Sequence, residues 1–523
     1  MMSTVTAEEP KVTLVNSFLQ PFNNAVATAR TCYSSKVITT EDVAKDEKAV
    51  ALRDKIAESI YQAGHHTTIQ HSTFQFILEK VSRQFLWSFL HSHPFYNSEQ
   101  VSQRYVEVKP GTFFIPPMPD RPREFYLATM NRQMDVYHEL IELLWPDAEK
   151  AYFEIFPARK KAPEKWKGTI KKKVQEVARY ILPISTHAHL YHTVSGITLH
   201  RYNKLQESFD TPYETKLVVS KMVEAVNQAD PLFFRNIEDP MPLEQTLEYK
   251  LFDSFLKGNR DNLSSDFIKE FDQELGNRVS KLVDYKVNAE QTMAQSVRSV
   301  LGLTKKELDD QTAIGLVMDP SVNPYYKESL NLTTFSKISR AMFHPHYTFK
   351  KKLSHTADSQ DQRHRMTPGS RPILFAHFQV DEPDFLTPPL IQNNTRANDL
   401  YRKTMGFIWE NINAMMALGV KPEFAMYALP NAFPIRFEES GDLLNLHHKW
   451  TTRLCYTAQE EIWNMCLDEV KQVAQVHPQI AEHLLPPCGL RARGDARPIC
   501  PEGDRYCGIP VWKLDRTEYV RKL

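Results

Sequence analysis

The sequence predicts a helix-rich α+β chain built as a tandem duplication, and three observations carry that reading. Apolar residues recur at helical spacing through most of the 523 residues, only two short stretches alternate as strands do, and several landmarks recur at one gap-free offset. Helical spacing is clear at Ile56, Ile60 and Tyr61. The first candidate strand is Thr73–Leu78, which alternates into Glu79. The second is Pro372–Val380, whose Ile373, Phe375 and Phe378 are bounded by Gly369 and Asp381. Lys171–Lys173 precedes Val174 and reads as the solvated start of a helix. Residues 245–310 are charged, helical in pattern and free of proline, as a connector between two larger bodies would be.

The repeat is more specific than the periodicity. Tyr180-x-Leu182-Pro183 returns as Tyr427-x-Leu429-Pro430, Glu214 as Glu461, and Asp230-Pro231 as His477-Pro478, all 247 positions apart. Each landmark alone carries nothing. Three at one offset point to a duplicated unit, with two unrelated helical domains as the alternative. The boundaries read as 1–245 for the first unit, 246–310 for the connector, 311–485 for the second unit and 486–523 for a Cys/Pro-rich tail.

Composition removes several function classes. Lys+Arg and Asp+Glu are both 64, so no global field draws the chain to nucleic acid or to an anionic membrane, and an anionic ligand needs a local cluster. No stretch of about 20 apolar residues is present to span a bilayer. Met1–Pro10 has neither a basic nor an apolar leader region, and six cysteines in so long a chain fit a reducing cytoplasm. With 16 glycines there is no Walker loop and no G-x-G-x-x-G.

Two polar clusters stand out. The first runs from His65, His66, Thr67 and His71 through Ser82 and Arg83 to His91, His93 and Asn97–Tyr105. Many hydrogen-bond donors are interleaved there with aromatic rings, which suits a flat heteroaromatic ligand carrying phosphate; a solvated loop with core histidines is the other reading. A zinc reading of His65, His71, His91 and His93 is also open, although neither H-E-x-x-H nor a Cys pair accompanies them. The second cluster is Ser354–Arg365, where Arg363 and Arg365 flank His364. Two guanidinium forks beside an imidazole make a strong local anion site, unless the stretch is simply a charged surface turn. In the tail, Cys488, Cys500 and Cys507 follow His483 closely; a structural zinc site and a reduced cysteine tail both remain open.

These residues resemble the flavin-dependent thymidylate synthases, the ThyX family. The first half shows Ala29-Arg30-Thr31-Cys32-Tyr33-Ser34, Gly64-His65-His66-Thr67 through His71 and Phe74, Val81-Ser82-Arg83, Ser102-Gln103-Arg104-Tyr105 and Arg179-Tyr180-Ile181-Leu182-Pro183. In the second are Leu429-Pro430 and Arg453-x4-Ala458-Gln459-Glu460-Glu461-Ile462. The resemblance covers most of 20–235 and, more weakly, 340–480. It implies two tandem ThyX-like units, each helix-rich with a small antiparallel sheet.

The departures are specific. The family's Arg-His-Arg is His91-Ser92-His93 in the first half, while Arg363-His364-Arg365 keeps it in the second. Two registers fit that triplet, one as the family triplet and one with Gln362-Arg363-His364 on Ser-x-Arg-Tyr. The family's late Arg, 23 residues past the Leu-Pro proline, is Gln206 in the first half and Arg453 in the second; the Arg before Leu-Pro is Arg179 in the first half and Met426 in the second. Each half keeps what the other lacks, which suggests composite sites within one chain.

The resemblance implies conversion of dUMP to dTMP with methylenetetrahydrofolate, FAD and NADPH, in a cytoplasmic homodimer. A non-catalytic or differently specific nucleotide-binding or flavin-binding relative is the alternative. The resemblance casts Arg453 as catalytic, and Gln100, Ser102, Gln103, Arg104 and Arg179 as substrate contacts. His65, Thr67, His91, His93, Arg363, His364 and Arg365 would hold the flavin.

Overall fold

The computed structural model describes residues 8–207, 210–256, 260–328, 330–521 and 523. Of the N-terminal stretch read for a leader, residues 1–7 lie outside the described residues. Two compact units emerge, each assembled from non-consecutive stretches of chain. Unit one takes 1–135, 182–262 and 407–430; unit two takes 136–181, 263–406 and 431–523. Each unit therefore contains a segment from the opposite half of the sequence.

Unit one holds an antiparallel sheet of β1 (Lys11–Ser17), β2 (Thr73–Ser82), β3 (Tyr96–Gln100) and β4 (His187–Ser195), in the order β1-β2-β4-β3. The strand expected at Thr73–Leu78 is β2, carried on to Ser82 past a bulge between Leu78 and Val81, where Lys80 adopts φ 57°. Alternation explains which face is buried: Phe74, Phe76 and Leu78 of β2 and Leu190 and Val194 of β4 pack on Phe85, Phe89, Val218, Val219 and Met222. Each such side chain contributes about 1.5–3 kcal/mol by leaving water. Gly196 follows β4 because a β-carbon there has no room against Phe233.

Unit two repeats the topology with β5 (Ser280–Tyr285), β6 (His346–Ser354), β7 (Gly369–Ser370) and β8 (Pro434–Asp442), in the order β5-β6-β8-β7. β4 and β8 lie exactly 247 positions apart, so the offset found in the sequence is an offset of equivalent strands. β5 falls inside the stretch whose composition reads as a connector, between the helices Arg260–Leu275 and Ala289–Leu301.

Two local expectations need correction. Pro372–Val380 is not a strand: Leu374–His377 is a 3-10 turn, in which Ala376 N–H donates to Ile373 O (3.0 Å) and Phe378 N–H to Phe375 O (3.3 Å). Local bonds consume the donors that a strand would offer, and the sheet edge beside β8 is taken by β7. Lys171–Lys173 does not start its helix, which spans Lys167–Ala178. Among the described residues no helix is long and apolar enough to cross a membrane.

Candidate functional site

In both units one carboxylate ties a strand end to a tyrosine from the other half of the sequence. In unit one, Ser82 ends β2 and caps the helix Arg83–His91, its hydroxyl accepting from Phe85 N–H. Glu214, wholly buried on the helix Pro212–Ala229, accepts from Ser82 N–H (2.7 Å), Ser82 Oγ (2.6 Å) and Tyr427 OH (2.6 Å). In unit two, Ser354 ends β6 and caps the helix His355–Asp361, and Glu461 accepts from Ser354 N–H (2.6 Å), Ser354 Oγ (2.6 Å) and Tyr180 OH. The repeated Tyr-x-Leu-Pro and Glu landmarks are thus one device built twice, with the tyrosines exchanged. Burial raises both carboxyls, Glu214 up to about 7.

The exchange is fixed by backbone pairing within each unit. Ile184 N–H donates to Leu429 O (2.9 Å) in unit one, and Ala432 N–H to Tyr180 O (2.9 Å) in unit two. Asn431 Nδ2 adds a bond to Arg179 O (3.0 Å).

Superposing the capping serines aligns Arg363-His364-Arg365 with His91-Ser92-His93, each following its serine at the same spacing. That spacing favours the family triplet over the register that sets Gln362-Arg363-His364 on Ser-x-Arg-Tyr.

Unit two continues from its carboxylate into a chain of hydrogen bonds that joins the two sequence halves. Gln459, buried, donates to Tyr180 OH (2.7 Å) and accepts from Arg179 Nη2 (2.7 Å) and from Gln360 Nε2. Gln360 O accepts from Arg453 Nη2 (3.0 Å), and Arg453 Nε donates to His364 Nε2 (2.9 Å). An arginine only donates, so Nε2 is the accepting nitrogen and a neutral His364 carries its proton on Nδ1. Burial, and after it the charges of Arg453 and Lys449, hold His364 well below the usual imidazole range. Two of Arg453's donors are committed to groups on one segment, which fixes the plane of its guanidinium.

The matching positions of unit one build something different. Gln206 donates to Asn203 Oδ1 (3.3 Å) and accepts from Ser220 Oγ (2.9 Å); His93 pairs with Tyr202 OH (2.8 Å); and His91 lies edge-on to Trp87 at 4.4 Å. Gln100, Ser102, Gln103 and Arg104 gather where β3 turns: Arg83 donates to Gln100 Oε1 (3.3 Å) and Val101 O (2.5 Å), and Ser102 Oγ accepts from Arg104 N–H (3.2 Å). His65, which precedes the 3-10 turn His66–His71, and Thr67 within it are exposed. Of the expected site residues, Arg179, Arg363, His364, Arg365 and Arg453 belong to unit two and the others to unit one.

Sequence reasoning missed a buried ion network directly under Arg453 and His364. Lys351 pairs with Glu469 (2.7 Å) and Glu439; Lys449 pairs with Asp361 (2.6 Å) and Glu439 (2.6 Å); and Arg371 pairs with Asp358 (2.9 Å). Asp361 precedes His364 by three residues and Lys449 precedes Arg453 by four, so the network and the site share two elements. Desolvation alone raises the Asp361 carboxyl, but Lys449, Lys351 and Arg371 together hold it well below the usual range. Where unit two has Asp361, Glu439, Lys449 and Glu469, unit one has Phe89, His192, Tyr202 and Met222. A signal did exist: Lys351 falls in phase with the inward Tyr347, Phe349 and Leu353 of β6, where a lone lysine must find partners.

Comparison with known proteins bears on both halves. The family described as "Thymidylate synthase complementing protein" matches residues 13–232 and again 281–479. A flavin-dependent thymidylate synthase of Clostridium tetani is 26% identical over 228 residues, covering 43% of this chain and 85% of that protein. One from Sulfurisphaera tokodaii is 26% identical over 212 residues, covering 40% and 78%. Among solved structures, the UMP/dUMP methylase PolB of Streptomyces cacaoi, bound with 5-Br dUMP, is 18% identical with a TM-score of 0.32, covering 48% of this chain and 96% of that one.

Proposed function

The chain belongs to the family of thymidylate synthase complementing proteins in both of its halves, and on that premise we propose that it is a flavin-dependent thymidylate synthase, converting dUMP to dTMP with methylenetetrahydrofolate, FAD and NADPH. The observation that carries the reading is the hydrogen-bonded run Arg179–Gln459–Gln360–Arg453–His364, which joins one residue of the first half to the functional cluster of the second.

The donor set of unit two fits a flavin carrying a diphosphate. Arg363 is exposed and His364, Arg365 and Arg453 are partly buried, offering guanidinium forks for phosphate oxygens. A flavin held there would supply the hydride, with NADPH as its source of electrons. In unit two Arg363, His364 and Arg365 would hold it, and His65, Thr67, His91 and His93 are the flavin candidates of unit one taken by itself.

Arg453 is the catalytic residue of the proposal. Its guanidinium, held in plane by His364 and Gln360, stabilises negative charge developing on the uracil carbonyl edge, and it does so without reorganising. Neutral His364 accepts from it and adds no competing charge. Arg179 orients the nucleotide in unit two, and Gln100, Ser102, Gln103 and Arg104 are the nucleotide candidates of unit one taken by itself. In unit one the counterparts Gln206 and Met426 carry no charge, which favours a binding role without turnover for that unit.

The test is single-turnover oxidation of reduced flavin with dUMP and methylenetetrahydrofolate. Arg453→Ala is expected to lose on the order of 10²–10³ in rate while retaining flavin. Arg179→Ala is expected to weaken dUMP binding by roughly 1.5–3 kcal/mol, and adding Gln206→Arg to Arg453→Ala is expected to restore nothing. Protein that stays colourless after FAD reconstitution, or near wild-type turnover in Arg453→Ala, would overturn the reading.

A further inference from the structure

The buried charges of unit two lie between two helices and the sheet, at the place where Arg453 is held. Arg453 is the last residue of the helix Leu443–Arg453, where intrahelical bonding runs out. Its guanidinium reaches across to Gln360 O (3.0 Å) and His364 Nε2 (2.9 Å), on and just after the helix His355–Asp361. One turn earlier, about 6 Å along its own helix, Lys449 reaches across to Asp361 (2.6 Å). The same two segments are thus joined twice, by an interior ion pair and by the arginine itself.

Each side of that joint is anchored further. Lys449 also donates to both oxygens of Glu439 on β8 (2.8 and 2.6 Å). The next residue, Trp450, donates its indole N–H to Glu469 (2.7 Å), with which Lys351 of β6 also pairs (2.7 Å). On the other segment, Arg371 holds Asp358 through Nε and Nη2 (3.0 and 2.9 Å). The turn after His364 is tied in through Thr367, whose hydroxyl lies 2.9 Å from His364 O and 3.3 Å from Glu439 Oε1. The side chains of Lys351, Lys449, Asp361, Glu439 and Glu469 are wholly buried.

Stability does not account for this arrangement. Desolvating two charges costs about what their attraction returns, and apolar side chains of similar volume hold a core as well or better. Unit one supplies the comparison within the same chain. It has the same strand order and the same serine–glutamate device, and at the positions of Asp361, Glu439, Lys449 and Glu469 it buries Phe89, His192, Tyr202 and Met222. The position of Arg453 is Gln206 there. The charged interior accompanies the arginine, and where the arginine is replaced these charges are replaced too. What an ion pair adds over apolar packing is direction: packed side chains tolerate a small slide between helices, whereas charges paired at hydrogen-bond distance admit one register. We propose that Lys449, Asp361 and Glu439 are positioning residues, which fix the end of the helix carrying Arg453 against the segment of Gln360 and His364 and so hold the guanidinium in one place and plane. The inference rests on the reading of Arg453 as the catalytic residue, a group for which a displacement of about 1 Å costs on the order of 10²-fold in rate.

The test removes the ion pair from both sides at once, so that neither charge is left without its partner. In the full chain, Lys449→Met combined with Asp361→Leu is compared with wild type in flavin content, thermal midpoint, and kcat and KM for dUMP. The double variant is expected to hold flavin as wild type does and to melt above Lys449→Met alone, yet to lose about 10–10²-fold in kcat with KM unchanged. Introduced into Arg453→Ala, the same two substitutions are expected to slow the rate no further, because the ion pair acts through the arginine. A network that only stabilises unit two would return turnover together with the melting midpoint, or slow both backgrounds alike, and either result would overturn the inference. Should the double variant fail to fold, the isosteric Thr367→Val, which cuts the link from Glu439 to the His364 turn, decides: a several-fold loss in kcat that vanishes in Arg453→Ala is expected, and a wild-type kcat would refute the positioning role. Near wild-type turnover in Arg453→Ala by itself would overturn the reading of the reaction, whereas lost turnover there beside full turnover in the double variant would overturn the positioning role alone.

Discussion

Glu214→Gln isolates the energetic cost of the carboxyl that closes the shared device in unit one. Glu214 is 0% exposed, and its carboxyl is pushed up from an ordinary 4.5 to about 7, desolvation outweighing the hydrogen bonds from Ser82 and Tyr427. A folded-state value above the unfolded one means that the native state holds this proton more tightly. Its stabilising contribution is therefore complete below about pH 4.5 and is lost as pH rises through about 7. At 1.36 kcal/mol per unit, the loss is about 3 kcal/mol. Glutamine keeps the shape and cannot titrate, but its amide nitrogen faces hydroxyls that now donate, so at low pH the variant is expected to be less stable by about 1–3 kcal/mol. Urea unfolding followed by far-UV circular dichroism, at about pH 5 and about pH 8, compares the two. The gap between wild type and variant is expected to close or reverse by about 3 kcal/mol across that window. A gap independent of pH would refute the claim that Glu214 folds as a buried acid.

Lys449→Met leaves Asp361 and Glu439 buried with less compensation, and is expected to cost about 3–5 kcal/mol in thermal unfolding, partly recovered by adding Asp361→Leu. Tyr180→Phe and Tyr427→Phe remove equivalent donors from Glu461 and Glu214, so denaturant midpoints are expected to report losses of about 1–3 kcal/mol each, the larger at Tyr180, whose hydroxyl also accepts from Gln459; an unchanged midpoint in either would deny the shared device. Light scattering is expected to give a two-chain assembly, since each chain already carries two family units; a tetramer of full-length chains would contradict that.

Much of the architecture follows from the sequence because it is local or periodic. Alternation in Phe74, Phe76 and Leu78 determines a strand and its buried face wherever that strand pairs. The offset of 247 links β4 to β8 and Glu214 to Glu461 without any coordinates, since duplicated units keep their spacing. The paired losses, Gln206 against Arg453 and Met426 against Arg179, are legible in the same way. What only the tertiary structure decided are the partnerships between residues distant in the chain. That Tyr180 serves Glu461 and Tyr427 serves Glu214 depends on the exchange of segments between units, which leaves no periodic trace. The register of Arg363-His364-Arg365 needed Ser354 to be located as the cap matching Ser82. Lys449, Asp361 and Glu439 look like surface charges along the chain, and although the phase of β6 marks Lys351 as inward, only three-dimensional packing, which must pair every charge it takes from water, brings its partners to it.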